Sequence, residues 1–104
     1  MSSDRQVMER DIRQGEDERI VYSVDVSRWT SSPTLEACKA YEMTGDVRTD
    51  VTETVLTGSG SVAGNVITLP ALSGLAAGKV YRVEVKFSSG GNTFETYFYV
   101  KGEL

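Results

Sequence analysis

The 104-residue chain contains no histidine. That absence removes the Ser-His-Asp and Cys-His relays and the usual ligand of transition metals. Cys38 is the single cysteine, so no disulfide can close within the chain, and a reducing compartment is expected. With no histidine to activate it, the Cys38 thiol is expected to serve as a small buried hydrophobe in a strand. Cations are the minority: 11 Lys and Arg stand against 15 Asp and Glu, a net charge of -4 that disfavours phosphate backbones as partners. No stretch approaches the run of about 18 apolar residues needed to span a bilayer. Met1-Ser2-Ser3-Asp4-Arg5-Gln6 also lacks the apolar core of a signal peptide, so a soluble product of the cytosol is expected, with no nucleic acid and no membrane among its partners.

What is present suffices for one core. At this length, 39% hydrophobic residues can enclose a single domain without metals or bridges. Residues 1–5 have nothing to bury and are expected to form a loose tail, leaving 6–104 as the domain. Gln6 to Arg13 is expected to form a first edge strand, with a short helical turn as the alternative, followed by a charged turn at Gln14-Gly15-Glu16-Asp17-Glu18. From Arg19 to Val26, Ile20, Tyr22, Val24 and Val26 alternate with Arg19, Val21, Ser23 and Asp25, the pattern of a half-buried strand.

Ser31-Ser32-Pro33 breaks the ladder, because proline has no amide hydrogen to donate. Leu35 to Met43 then reads as a strand with Leu35, Ala37 and Tyr41 inward. Val47 to Thr57, rich in Val and Thr, reads as one further strand, and Gly58, Gly60 and Gly64 frame a turn-rich passage around Val62. Val66 to Leu69 forms a short strand ending at Pro70. The clearest signal closes the chain: Tyr81, Val83, Val85 and Phe87 alternate with Arg82, Glu84 and Lys86, and a Ser-Ser-Gly-Gly-Asn turn leads into Phe94 to Lys101. In that last strand Phe94, Thr96, Phe98 and Val100 share one face, while Glu95, Tyr97, Tyr99 and Lys101 share the other.

About seven short strands with no assured helix predict an all-β, antiparallel β-sandwich of immunoglobulin-like or fibronectin type III-like kind. Leu75, Gly78 and Tyr81 sharpen that expectation. A leucine plugging the core, a glycine permitting a tight crossing and a tyrosine opening the next strand have the spacing of a tyrosine corner, whose hydroxyl bonds backbone a few residues upstream.

Other chemistry is sparse. The acidic loops Gly15 to Glu18 and Asp46 to Asp50 lack the ordered ligand spacing of a calcium loop, so no metal or cofactor is expected. Gly58 to Gly64 lacks the lysine of a phosphate loop and precedes a strand instead of a helix. Three aromatics remain as candidate interface residues. Trp29 can anchor a partner or cap the core, and Tyr97 and Tyr99 can be covered by a neighbouring protein or by local charged side chains.

The stretch Val21-Tyr22-Ser23-Val24-Asp25-Val26-Ser27-Arg28-Trp29 resembles a Leu/Val-Asp-Tyr-Ser-hydrophobic-Asp-Trp-Ser-x-Trp segment of the phage fibre-tail adaptors, small structural proteins of tailed bacteriophages and prophages. Tyr22, Ser23, Asp25, Ser27 and Trp29 match in order, and Val26 stands where the family has its first tryptophan. Gly74 to Gly78, Tyr81 and the closing aromatic hairpin extend the resemblance, although that hairpin lacks the family's acidic and arginine-rich character. The resemblance implies a non-catalytic virion component in tail, neck or fibre, with other virion proteins as partners and several copies, as a homo-oligomer or ring. Its expected location is the virion, or the bacterial cytoplasm before assembly. An alternative expectation from the exposed aromatics is a module that binds carbohydrate or a cell surface.

Overall fold

Alternation of apolar and polar residues governs this chain, and the computed structural model, which describes residues 12–104, is accordingly mostly β with one short helix. In chain order the elements are β1 (Ile12–Gly15), β2 (Arg19–Ile20), β3 (Ser23–Asp25), β4 (Thr34–Thr44) and β5 (Val47–Asp50). The helix α1 (Thr52–Val55) follows, then β6 (Leu56–Thr57), β7 (Ser61–Ala63), β8 (Val66–Thr68), β9 (Ala71–Ser73), β10 (Val80–Ser89) and β11 (Asn92–Glu103). The tail expected over residues 1–5, and most of the strand expected from Gln6, lie outside the described residues.

Five strands make the main sheet in the order β1-β11-β10-β4-β5. Its centre is the hairpin of β10 and β11, joined by Gly90 and Gly91. Both glycines have positive φ, 59° and 82°, as two-residue hairpin loops demand. All pairs in this sheet are antiparallel except β1 with β11, which is parallel and departs from the wholly antiparallel expectation. β1 also runs on into the expected charged turn, because Gln14 is fully buried. Its Nε2 donates to the carbonyls of Leu72 (2.7 Å) and Glu18 (3.0 Å), and its Oε1 accepts from the Tyr22 hydroxyl (2.9 Å).

Two three-stranded sheets, β2-β9-β6 and β3-β8-β7, draw on the same three segments in the same order. Thus the strand expected over Arg19–Val26 is interrupted at Val21-Tyr22, and Val66–Leu69 is continued beyond Pro70 by β9. Pro70 cannot donate to a ladder, and the break is bridged by the Leu69 amide donating to the Tyr22 carbonyl at 2.9 Å. The passage expected as turn around Val62 is a strand, β7, paired with β8. Gly60, just before it, permits close approach: a Cβ there would lie 2.9 Å from the Thr68 carbonyl oxygen.

Two further expectations are corrected. Val47–Thr57 is not one strand, because α1 interrupts it. The Asp50 carboxylate accepts from the Thr52 amide, and the Thr52 hydroxyl accepts from the Ala40 amide, so local side-chain bonds replace the ladder. In β4 the register shifts opposite Lys86 and Phe87, with Leu35 facing Phe87 but Ala37 facing Lys86. The extra residue, Glu36, is a β-bulge and inverts the parity of the strand. Leu35 points inward as expected. Ala37 and Tyr41 point outward, and Cys38 and Ala40 take the inner positions opposite Val85 and Val83.

The core lies between the main sheet and the two short ones. Val83, Val85, Phe87, Phe98 and Val100 from β10 and β11 meet Val24, Val26, Ile67, Leu69 and Leu72 in one cluster. Burying Phe87 and Phe98 completely stabilises the fold by ~2–3 kcal/mol each. The large aromatics at the centre of the hairpin therefore commit its other face to solvent.

Candidate binding face

That outward face is where the structure gathers its polar aromatic residues. The pleat of β11 sends Tyr97 and Tyr99 outward, β10 sends Arg82 and Glu84, and the bulged β4 sends Tyr41. Register sets Tyr99, Arg82, Tyr41 and Asp50 side by side across four strands, with Tyr97 and Glu84 adjacent in the next row.

Two arginines and one carboxylate tie the row together. The Arg82 guanidinium carbon sits 3.9 Å from the centroid of the Tyr97 ring and 6.0 Å from that of Tyr99. Arg82 Nη1 lies 3.4 Å from the Tyr99 hydroxyl. The Arg48 guanidinium carbon stands 4.6 Å over Tyr41. Glu84 Oε2 takes both cations, at 3.1 Å from Arg48 Nη1 and 2.7 Å from Arg82 Nε. The second contact is close in distance but lacks the angle of a hydrogen bond, so it acts as an ion pair. Tyr97 and Tyr99 meet edge to face, 5.6 Å apart. Isolated surface ion pairs contribute little, but here planar guanidiniums lie on rings and share one carboxylate, which fixes rotamers across the face. A shallow depression of about 340 Å³ lies among Tyr41, Arg48, Arg82, Glu84 and Tyr97.

Trp29 is elsewhere. It follows β3, packs against the end of the core with its ring 6.3 Å from that of Phe87, and carries the Arg28 guanidinium 4.9 Å above it. The three candidate interface residues therefore do not form one patch: Tyr97 and Tyr99 share the sheet face, while Trp29 is half-buried as a cap on the core. The outward position of Tyr41 is not visible in the sequence, because a bulge hides its parity, and local alternation alone gives Arg82 and Glu84 no role. Their signal was the hairpin register, which sets Arg82 opposite Tyr99 once the turn is placed at Gly90-Gly91.

The corner residues lie at one end of the core. Leu75 and Tyr81 are buried, and the Tyr81 hydroxyl accepts a hydrogen bond from the Ala76 amide at 2.8 Å. Gly78 has φ of 82° and donates to the Gly102 carbonyl, while the Gly102 amide donates to Lys79. The loop is thereby fastened to β11 as well as to β10.

Nucleophilic chemistry finds no support at Cys38, whose thiol is pushed up to about 12 by burial. At the buried Gln14, burial and then the charge of Glu18 raise the Tyr22 phenol above its ordinary value, which keeps it a donor to Gln14 Oε1. Among the described residues no group of three or more His, Cys, Asp and Glu could hold a metal ion. Among them, too, no helix is long and apolar enough to cross a membrane. No protein-family model matches the chain, and no curated protein matches it either.

Proposed function

We propose that this chain is a non-catalytic assembly protein of a phage or prophage virion, an immunoglobulin-like sandwich that works through protein–protein contacts in tail, neck or fibre. The virion assignment rests on the resemblance of Val21–Trp29 and of the closing hairpin to phage fibre-tail adaptors. The fold assignment is supported by grouping β2 with β3, β9 with β8 and β6 with β7 as one interrupted layer opposite the main sheet. The parallel pairing of β1 with β11 and the Tyr81 hydrogen bond to the preceding loop fit the same scheme.

The observation that carries a binding role is the ordered outer face, where Arg82 and Arg48 hold Tyr97, Tyr99 and Tyr41 around Glu84. Tyrosine and arginine are the residues that concentrate binding energy at protein interfaces, and their rotamers here are set before a partner arrives. The same geometry weighs against a carbohydrate module. Stacking on a sugar needs an open ring face, and guanidiniums already take one of the two faces of Tyr97 and of Tyr41.

The test is calorimetric titration of the purified chain against purified tail, neck and fibre proteins encoded by neighbouring genes. Binding to one of them, weakened at least tenfold by Arg82→Ala or Tyr97→Ala, is the expected result. Absence of binding to all of them would overturn the reading. Glycan binding that is lost on Trp29→Ala would establish the carbohydrate alternative instead.

A further inference from the structure

The edge of the main sheet carries a feature that the outer face does not explain. Among the described residues β5 pairs on one side only, with β4, and all four of its residues are exposed. Val47, at 62% exposure, is conspicuous for a large hydrophobic residue within a strand. With the next residue the segment is Val47-Arg48-Thr49-Asp50-Val51, symmetric in polarity about Thr49 and opposite in charge on its two sides. An antiparallel copy of such a strand meets its own complement.

We propose that β5 is a homotypic edge, at which two copies of the chain pair their β5 strands antiparallel about a two-fold axis at Thr49. The backbone has the right phase. In the hairpin of β4 and β5, Thr44 faces Val47 across a two-residue loop, Glu42 faces Thr49, and the Val51 amide donates to the Ala40 carbonyl at 2.9 Å. Val47, Thr49 and Val51 thus direct their backbone groups toward β4. By the alternation of an antiparallel ladder, Arg48 and Asp50 direct theirs away from it, to the open edge. With Thr49 on the axis, Arg48 meets Asp50 of the second copy, and each such pair exchanges both N–H···O bonds.

Charge selects this register over its neighbours. Sliding the axis to Arg48 would set two guanidiniums opposite each other, and sliding it to Asp50 would do the same to two carboxylates, both unfavourable across strands. In the proposed register Arg48 and Asp50 lie on the same outer side of the sheet, so each pair adds an ion pair to its main-chain bonds. The Asp50 oxygen that accepts from the Thr52 amide leaves the other oxygen for arginine, and Arg48 has further donors beyond the nitrogen that meets Glu84. On the opposite side, Val47 comes against Val51 of the second copy, which removes the exposed valine from water. The two main sheets then form one continuous sheet, and the tyrosine faces of the two copies lie side by side. This proposal does not depend on the virion reading.

The short strand implies a weak association, seen at high concentration. Sedimentation equilibrium from micromolar to millimolar chain should show the wild-type mass rising from one chain toward two. Arg48→Asp and Asp50→Arg, each alone, place like charges in both cross-strand pairs and should hold the mass at one chain. Their equimolar mixture restores opposite charges in every pair and should recover the two-chain mass. Thr49→Lys, which leaves both charge partners in place but sets two ammonium groups across the axis, should also stay at one chain. A wild type that stays at one chain's mass throughout would overturn the proposal without any variant. So would charge-reversed chains that associate alone as the wild type does, or a mixture that fails to associate.

Discussion

Removing the hydroxyl from Tyr81 is the narrowest cut that can be made in this fold. The ring, buried in the core cluster, is untouched by Tyr81→Phe, while the Ala76 amide loses its acceptor at 2.8 Å. We expect a loss of about 1 kcal/mol, read as a lower urea midpoint at unchanged slope. An unchanged midpoint would show that water replaces the hydroxyl at no cost and that the loop is held by Gly78 and Gly102 alone. The bond between the Tyr81 hydroxyl and upstream backbone was legible in the sequence because leucine, glycine and tyrosine stand together before a cleanly alternating strand. Gln14 was not legible. A glutamine in a charged stretch looks solvent-facing, and only the fold brings the Leu72 carbonyl, 58 residues away, within 2.7 Å of its amide. Burial of a polar residue depends on the partners that satisfy it, and those partners are distant in sequence.

At the scale of the element, what could be read followed from local alternation, and what could not followed from local competition. β10 and β11 declared both their faces. β4 reads as a strand from its sequence, yet Glu36 adds one residue and turns Tyr41 from the inner face to the outer, a change that no periodicity count registers. α1 replaced a Thr- and Val-rich strand because the side chains of Asp50 and Thr52 bond nearby backbone. The closing strand carries a sharper constraint near its end. Gly102 is buried, and a Cβ built there would collide with the carbonyl oxygen of Ala76, with the Leu75 side chain 3.3 Å away. Those neighbours belong to the loop that Tyr81 ties down, so neither can yield without moving it. Gly102→Ala should therefore cost ~2–3 kcal/mol. Urea denaturation of this variant beside Tyr81→Phe checks it. If Gly102→Ala were as stable as the wild type, the loop would be free to move and its fastening to β11 would be incidental.

For the molecule as a whole, stability is distributed unevenly between the main sheet and the two short ones. β10 lies between two long partners, bonded along nearly its full length to β11 and β4, and its inward residues are fully or almost fully buried. The two short sheets are made of ladders two or three residues long, separated at Val21-Tyr22, at Pro70 and around Gly58 to Gly60. A short ladder can open without exposing much core, whereas opening β10 exposes Phe87 and Phe98 together. Local opening should therefore occur first in β2, β6 and β7, and only global unfolding should release the amides of Val83, Val85 and Phe98. Native-state hydrogen exchange across low urea concentrations separates these cases. We expect the opening free energies of β10 and β11 to converge on the global value with a full dependence on denaturant. The amides of Arg19–Ile20 and Ser61–Ala63 should exchange through smaller openings with little such dependence. Equal protection in the main sheet and the short ones would mean that the interruptions are mechanically silent, and that bonds such as Leu69 to Tyr22 carry cooperativity across them as a continuous ladder would.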